Sequence, residues 1–264
     1  MLSSLSPRSA LIAVSARAVS VARGADHRLR AHWAIDGDLA AALQRAGATI
    51  SLLPPPEADR CREQAHRCLA RADGLVLQGG GDVRRVARAG DPVAEGPGRA
   101  LDELRDGWDS ALLAAAEGRR LPVLGICRGL HLINVVRGGS LCVDWAGTED
   151  VTCHDDRADY GSCRHPVALA VDGVLRTICR TDRLVVRSAH RHAVGRIGDG
   201  LAVEAVAEDG CIEALRAVDR DWLLGVQWHP ELAVDAAERA PMQALLRHFV
   251  QQCAVSRRDA GVPA

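Results

Sequence analysis

Three short stretches of the chain hold residue types able to do chemistry together. In Leu121-Pro122-Val123-Leu124-Gly125-Ile126-Cys127-Arg128-Gly129 an apolar run ends at a cysteine with glycine at both second neighbours, and a helical pattern follows at once. Strand, sharp turn and helix in that order describe a nucleophile elbow with Cys where Ser is more usual. The glycines are needed because the turn is too tight for side chains. The helix start offers free N–H groups and a positive dipole end to a thiolate. A buried cysteine in a glycine-rich turn is the plainer reading, and it suits the other eight cysteines better than this one.

A thiolate nucleophile needs a base, and the base needs a group to orient it. Gly225-Val226-Gln227-Trp228-His229-Pro230-Glu231 offers such a pair at the end of a second apolar run, about a hundred residues further on. His229 and Cys127 can meet only if two strand ends converge on one edge of a sheet, where parallel α/β folds gather their sites. The third stretch, Asp73-Gly74-Leu75-Val76-Leu77-Gln78-Gly79-Gly80-Gly81-Asp82, delivers consecutive glycine N–H groups to the same edge. Such a turn cradles an anion, either a phosphate or the oxyanion of acyl transfer. The phosphate reading lacks the lysine that follows a phosphate-binding loop and a clear helix start.

The elements that must hold these stretches are legible in the apolar patterning. Strands are predicted at Ala10–Ser15, Thr49–Leu53, Gly74–Gln78 and Pro122–Ile126. They alternate with helices at Asp36–Ala46, Glu57–Ala72, Ala100–Glu117 and Arg128–Val136, and an exposed arginine-rich loop is expected after the first strand. That alternation implies a mostly parallel sheet covered on both faces. The second half reads as short strands at Val167–Val171, Leu184–Ser188, Leu201–Ala207, Ile212–Val218 and Leu223–Trp228, with a hairpin signal at Glu208-Asp209-Gly210. A last helix is expected over Asp235–Gln252 and a frayed tail from Ser256. A single domain over 1–264 is expected, with 1–9 and 256–264 frayed.

Composition narrows the function classes. The 264 residues carry 33 basic and 34 acidic side chains, so bulk charge does not favour nucleic acid or an anionic membrane as a partner. All of the basic residues are arginine. Without lysine there is no pyridoxal Schiff base, no phosphate-binding loop ending in Gly-Lys and no Ser-Lys machinery. The absence itself fits a GC-rich coding bias. Nine cysteines, an odd number scattered through a long chain, suit a reducing cytoplasm in which most thiols act as small core hydrophobes. The N-terminal stretch holds Arg8, Arg17, Arg23, Arg28 and Arg30 against Asp26, but Arg17 interrupts its apolar run, so neither a signal peptide nor a membrane span is expected.

The three stretches together resemble the class I glutamine amidotransferase superfamily. More narrowly, they are similar to its gamma-glutamyl-gamma-aminobutyrate hydrolase-like branch of stand-alone γ-glutamyl hydrolases. The likeness covers most of the chain: Asp38–Pro54, GLVLQGGGDV, LPVLGICRGLHLINVVRGGSL, LVVRSAHRHAV, AEDGCIEAL and LLGVQWHPEL. It implies a three-layer α/β/α flavodoxin-like fold, with a mostly parallel central sheet and added antiparallel strands in the second half. It also implies a Cys-His-Glu triad of Cys127, His229 and Glu231, with oxyanion donors at Gly80 and Arg128. Gly79, Gly81, His131, Ser188 and His190 are implied as substrate-binding.

The reaction so implied cleaves a γ-glutamyl amide to glutamate and a free amine through a γ-glutamyl thioester. It needs no metal and no organic cofactor. The partner is a small-molecule substrate, and a homodimer is compatible. A glutaminase subunit passing ammonia to a separate synthetase is the alternative within enzymes; with no synthetase domain in the chain, the free-standing hydrolase is favoured. A non-catalytic binding or regulatory member is the alternative outside enzymes.

The sequence departs from its relatives in three places. His131 stands where glutamine is usual in the elbow helix, Gln78 where proline opens the glycine loop, and Arg187-Ser188-Ala189-His190-Arg191-His192 where relatives read Asn-Ser-x-His-His-Gln. His190 and His192 are expected to share one face of a strand, with Ser188 and His190 near the substrate. Trp228 is expected near the site as the neighbour of His229. Cys153-His154 and Cys163-x-His165 can be written as a Cys₂His₂ zinc set, but their spacing fits no standard finger. Arg119-Arg120 and Arg257-Arg258 read as solvated surface.

Overall fold

In the computed structural model the chain is described over residues 9–23, 28–81, 83, 99–142, 145, 154–155, 159–220 and 222–259. Cys153, Asp82 and the outermost ends (1–8 and 260–264) lie outside that set. The first half is built from strands β1 (Leu11–Ser15), β2 (Arg17–Arg23), β3 (Arg28–Ala34), β4 (Thr49–Leu53), β5 (Gly74–Leu77) and β6 (Val123–Ile126). Its helices are α1 (Gly37–Arg45), α2 (Cys61–Leu69), α3 (Arg99–Gly118) and α4 (Arg128–Val136). The second half adds β7 (Leu141–Cys142), β8 (Cys163–Leu169), α5 (Val174–Cys179), β9 (Arg183–Ser188), β10 (Ala193–Val194), β11 (Leu201–Ala207), β12 (Ile212–Ala217), β13 (Leu223–Val226) and α6 (Ala236–Asp259).

Nine strands form one sheet in the order β4-β1-β5-β6-β13-β12-β11-β8-β9. The pairs from β4 to β13 are parallel, whereas those from β13 through β12, β11 and β8 to β9 are antiparallel. Helices flank the sheet, giving the mixed α/β architecture of the flavodoxin type. Strands β5, β6 and β13 are buried along their whole length, as continuous apolar runs between two helical layers must be. Strand β8 alternates buried and accessible residues, the pattern of a sheet with one open face.

Local chemistry explains the boundaries. Asp36 caps α1 by accepting from the Asp38 N–H at 3.0 Å. The Glu208-Asp209-Gly210 turn forms as predicted, with Gly210 donating to Ala207 O at 3.0 Å and Ala207 donating to Cys211 O at 2.9 Å. Three expectations need correction. The arginine-rich stretch after β1 is not all loop: β2 and β3 pair antiparallel in a sheet of their own, so that the backbone N–H and C=O groups of each strand are satisfied by the other. The last helix continues past Gln252 to Asp259, where a tail was expected. Helix α5 was missed because six residues hold too little periodicity to read.

No described helix is long and apolar enough to cross a membrane. Cys163 is disulfide-bonded, whereas Cys61, Cys68, Cys127, Cys142, Cys179, Cys211 and Cys253 are free.

Candidate active site

Cys127 sits at the end of β6 and caps α4, with φ 51° and ψ −104°. A non-glycine residue pays for this left-handed backbone, and such strain persists only where the surroundings enforce it. Two close approaches do so here. A Cβ on Gly129 would stand 2.2 Å from Leu77 O, and one on Gly125 would stand 2.7 Å from the Gly129 carbonyl carbon. The strand and helix are therefore pressed together on both sides of the sulfur, and only glycine fits.

The register brings the second stretch to the same place. Ile126 pairs with Val226 in parallel, and the Cys127 N–H donates to Val226 O at 2.7 Å. His229 lies just beyond, its backbone N–H donating to Arg187 O at 2.9 Å. Its Nδ1 is 2.7 Å from Glu231 Oε1, and its Nε2 is 3.2 Å from the Tyr160 hydroxyl. Proline at 230 starts a short 3₁₀ turn that points Glu231 back at the ring. The Cys127 side chain also interacts with the imidazole. Gly79 packs against both: a Cβ there would lie 2.9 Å from His229 Cε1 and 3.8 Å from Cys127 Cβ.

The electrostatics of this cluster are directional. Burial alone would lower the proton affinity of His229, but the Glu231 carboxylate and the neighbouring Cys127 side chain overcome it and hold the imidazole pKa well above its usual value. Cys127 keeps 6% exposure, while Cys253 has none. Burial raises Cys253 well above an ordinary thiol, and it pushes Cys179 up to about 11. Those two thiols are core hydrophobes.

The glycine loop is held from behind. Arg105 donates to Gln78 O at 2.6 Å, and a Cβ on Gly80, whose φ is +144°, would run into the Arg105 guanidinium. Gly81 faces Asp102 in the same way at 3.3 Å. Gln78, the departure from proline, is buried and ties three elements together. Its amide donates to Ala34 O at 3.0 Å and to Ser15 O, and its carbonyl accepts from the Asp36 N–H at 3.1 Å. Arg128 turns its side chain away from the site: Nη1 is 2.6 Å from Asp109 Oδ2, and Nη2 contacts Asp106. With 1% exposure for Arg128, this ion cluster anchors the elbow helix to α3. Sequence reasoning missed it, although the signal was present: Arg105, Asp106 and Asp109 recur at helical spacing.

The remaining expected residues scatter. His131 is buried in α4, with Nε2 2.6 Å from Gln227 Oε1. Ser188 is fully buried at the end of β9, and Trp228 is packed into the core. His190 and His192 do not share a strand face, because β9 ends at Ser188. The His190 ring packs against His154 with centroids 4.7 Å apart, whereas His192 turns toward His131 at 6.5 Å. Arg187 bonds Glu238 Oε2 through Nε at 2.9 Å and reaches Gly161 O at 3.3 Å, beside Tyr160. Tyr160, the chain's one tyrosine, gave no pattern in the sequence to mark it.

Residues 10–231 match the family model Peptidase C26. Among curated proteins, "Putative glutamine amidotransferase Rv2859c" of Mycobacterium tuberculosis is 38% identical over 202 residues, covering 72% of this chain and 60% of that protein. The chain thus spans less than two thirds of that relative. "Gamma-glutamyl-gamma-aminobutyrate hydrolase PuuD" of Escherichia coli K12 is 29% identical over 194 residues, covering 70% of this chain and 73% of its own. Among solved structures, a "putative gmp synthase subunit a protein" of Thermoplasma acidophilum superposes with a TM-score of 0.63 at 16% identity, over 96% of this chain and 98% of that one, and shares the fold. With the elbow, the glycine loop and the His-Pro-Glu turn all inside the matched span, the chain belongs to the Peptidase C26 family of class I glutamine amidotransferase-like proteins.

Proposed function

We propose that the protein is a cysteine hydrolase of γ-glutamyl amides. The observation that carries this reading is a thiol on a left-handed elbow, brought by the sheet beside an imidazole whose Nδ1 is 2.7 Å from a carboxylate. Cys127 as thiolate attacks the γ-carbonyl, and the developing oxyanion is held by the backbone N–H groups of Gly80 and Arg128. His229 delivers a proton to the leaving amine. It then takes one from water, which attacks the γ-glutamyl thioester, releasing glutamate and restoring the thiolate beside a protonated imidazole. Glu231 fixes the imidazole so that Nε2 faces the reaction. Localisation in the cytoplasm fits a free thiol nucleophile.

Family membership supports amide hydrolysis, and the name of the Escherichia coli relative supports a γ-glutamylated amine as substrate over glutamine. The mycobacterial relative's name favours the glutaminase reading instead. Turnover of purified protein on a panel of γ-glutamyl amines, with glutamine alongside, separates them. Release of glutamate from the amines in preference to glutamine is the expected result. Hydrolysis retained at near wild-type rate in Cys127→Ala refutes the mechanism.

A further inference from the structure

Behind the triad, three histidines converge on one buried carboxylate. Glu213 opens β12 with no exposure, and its Oε1 lies 3.3 Å from His154 Nδ1, 3.4 Å from His190 Nε2 and 3.2 Å from His165 Nε2. The Cys211 sulfur joins them: ligand atoms of His154, His190, Cys211 and Glu213 all lie within 4.8 Å of one another, and all four residues are buried. Glu213 Oε2 has no hydrogen-bond partner among the described residues, and His154 Nδ1 and His190 Nε2 reach Oε1 only by these long contacts, without hydrogen-bond geometry. Leaving such groups incompletely satisfied in a dry interior is costly unless something else engages them.

We infer that His154, His190, Cys211 and Glu213 form a closed binding site for a divalent transition metal of the zinc type.

The geometry fits that donor set. Metal–nitrogen and metal–oxygen bonds of about 2.0–2.1 Å in a tetrahedron place neighbouring donors about 3.3–3.4 Å apart, which is the spacing of the His154 and His190 nitrogens from Glu213 Oε1 and longer than the usual N–H···O bond. Thiolate and imidazole donors select zinc-like ions over calcium or magnesium. The carboxylate and the thiolate together bring two negative charges, which a divalent ion cancels.

The outer contacts are those a metal-bound imidazole needs. The second nitrogen of His154, Nε2, is 2.8 Å from Asp209 Oδ2, and that carboxylate is itself held by Trp145 Nε1 at 3.1 Å and the Cys211 N–H at 3.0 Å. The second nitrogen of His190, Nδ1, is 3.0 Å from His192 O. Each ring is thereby turned so that its free nitrogen faces the cluster. His165 stays outside the set and hydrogen-bonds Glu213. Four protein donors leave no open position, so the ion is structural. It pins the β11–β12 hairpin to the segment after β9 that carries His190. The Cys153, His154, Cys163 and His165 set written from the sequence is not this one: Cys163 is disulfide-bonded, and the ligands come from three separate segments.

The test uses the full chain carrying Cys127→Ala and Cys68→Ser, so that neither the elbow thiol nor the exposed one can bind metal; it needs no turnover and is independent of the substrate reading. After incubation with zinc and gel filtration, elemental analysis is expected to find one zinc per chain, and zinc is expected to raise the melting temperature. Cobalt in its place is expected to give a thiolate-to-metal charge-transfer band in the near ultraviolet. That band is lost in Cys211→Ser, and Asp209→Asn weakens zinc binding about tenfold to a hundredfold. If Cys211→Ser does not fold, the cobalt spectrum of the parent decides alone. Zinc that neither stays bound nor moves the melting temperature overturns the site, as does cobalt bound without a thiolate band.

Discussion

The triad and the histidine cluster are built from the same parts, an imidazole against a buried carboxylate beside a cysteine, yet their geometries differ. At the triad, one carboxylate holds one nitrogen of one ring, and the other nitrogen is left to a thiol and a tyrosine hydroxyl. At the cluster, three rings crowd a single carboxylate, and the outer nitrogens of His154 and His190 are both engaged. A histidine moves protons when one of its nitrogens faces a reactant; when both are committed, it is a post. The sheet makes the difference. Cys127, His229 and Glu231 follow the ends of two adjacent parallel strands that point the same way, whereas the cluster draws on the antiparallel half, where hairpins fold side chains onto each other.

The comparison breaks first at the sulfur. Cys127→Ala is expected to lower kcat/KM by roughly 10⁴-fold or more while shifting the melting temperature only slightly, since it removes the proposed nucleophile and a single buried atom from the core. Glu231→Gln removes the carboxylate that orients His229, and a loss of roughly 10²–10⁴-fold in kcat is expected, with KM little altered. Both are read by steady-state kinetics on the amide that the substrate panel selects.

Next comes the ion cluster under the elbow. Arg128→Met removes the guanidinium that faces Asp106 and Asp109 and leaves Arg105 Nε, 3.3 Å from Asp109, to offset the buried charge; a loss of about 3–5 kcal/mol in urea unfolding is expected. An unchanged midpoint would mean that the elbow is held by packing alone.

The pH dependence sharpens the comparison further. His229 has a raised pKa in the folded protein, so its pairing with Glu231 stabilises the fold fully below its unfolded value of about 6.5. That contribution disappears as pH climbs through the folded value. The stability gap between wild type and Glu231→Gln should therefore be widest in mild acid and close in alkali, by about 1.4 kcal/mol for each tenfold in proton affinity. Unfolding midpoints across pH measure it. The smallest effect is expected for Tyr160→Phe: the hydroxyl lies 3.2 Å from Nε2, and its loss should change kcat by a few-fold only.

Much of this was readable in advance, for identifiable reasons. The elbow was legible because glycine at 125 and 129 answers a local demand, the near contact of strand and helix. The strands of the parallel half were legible because full burial forces unbroken apolar runs. The β2–β3 ribbon was not: its arginines hide the alternation that pairs it. Nor was the exit of His190 from the strand face, because the end of β9 is set by tertiary pairing with β8 and not by any breaker residue.

The sequence by itself pointed to the family, since a cysteine between two glycines at a strand end is a specific local pattern and gives weight to a His-Pro-Glu turn that would be weak alone. Only the tertiary structure decided which groups face one another. It set Tyr160 on His229, Arg128 on two buried aspartates, and His154, His190, Cys211 and Glu213 around one point. Those meetings join segments dozens of residues apart. Their positions follow from strand order and register, which depend on the burial of the whole sheet and leave no trace in the spacing of any one segment.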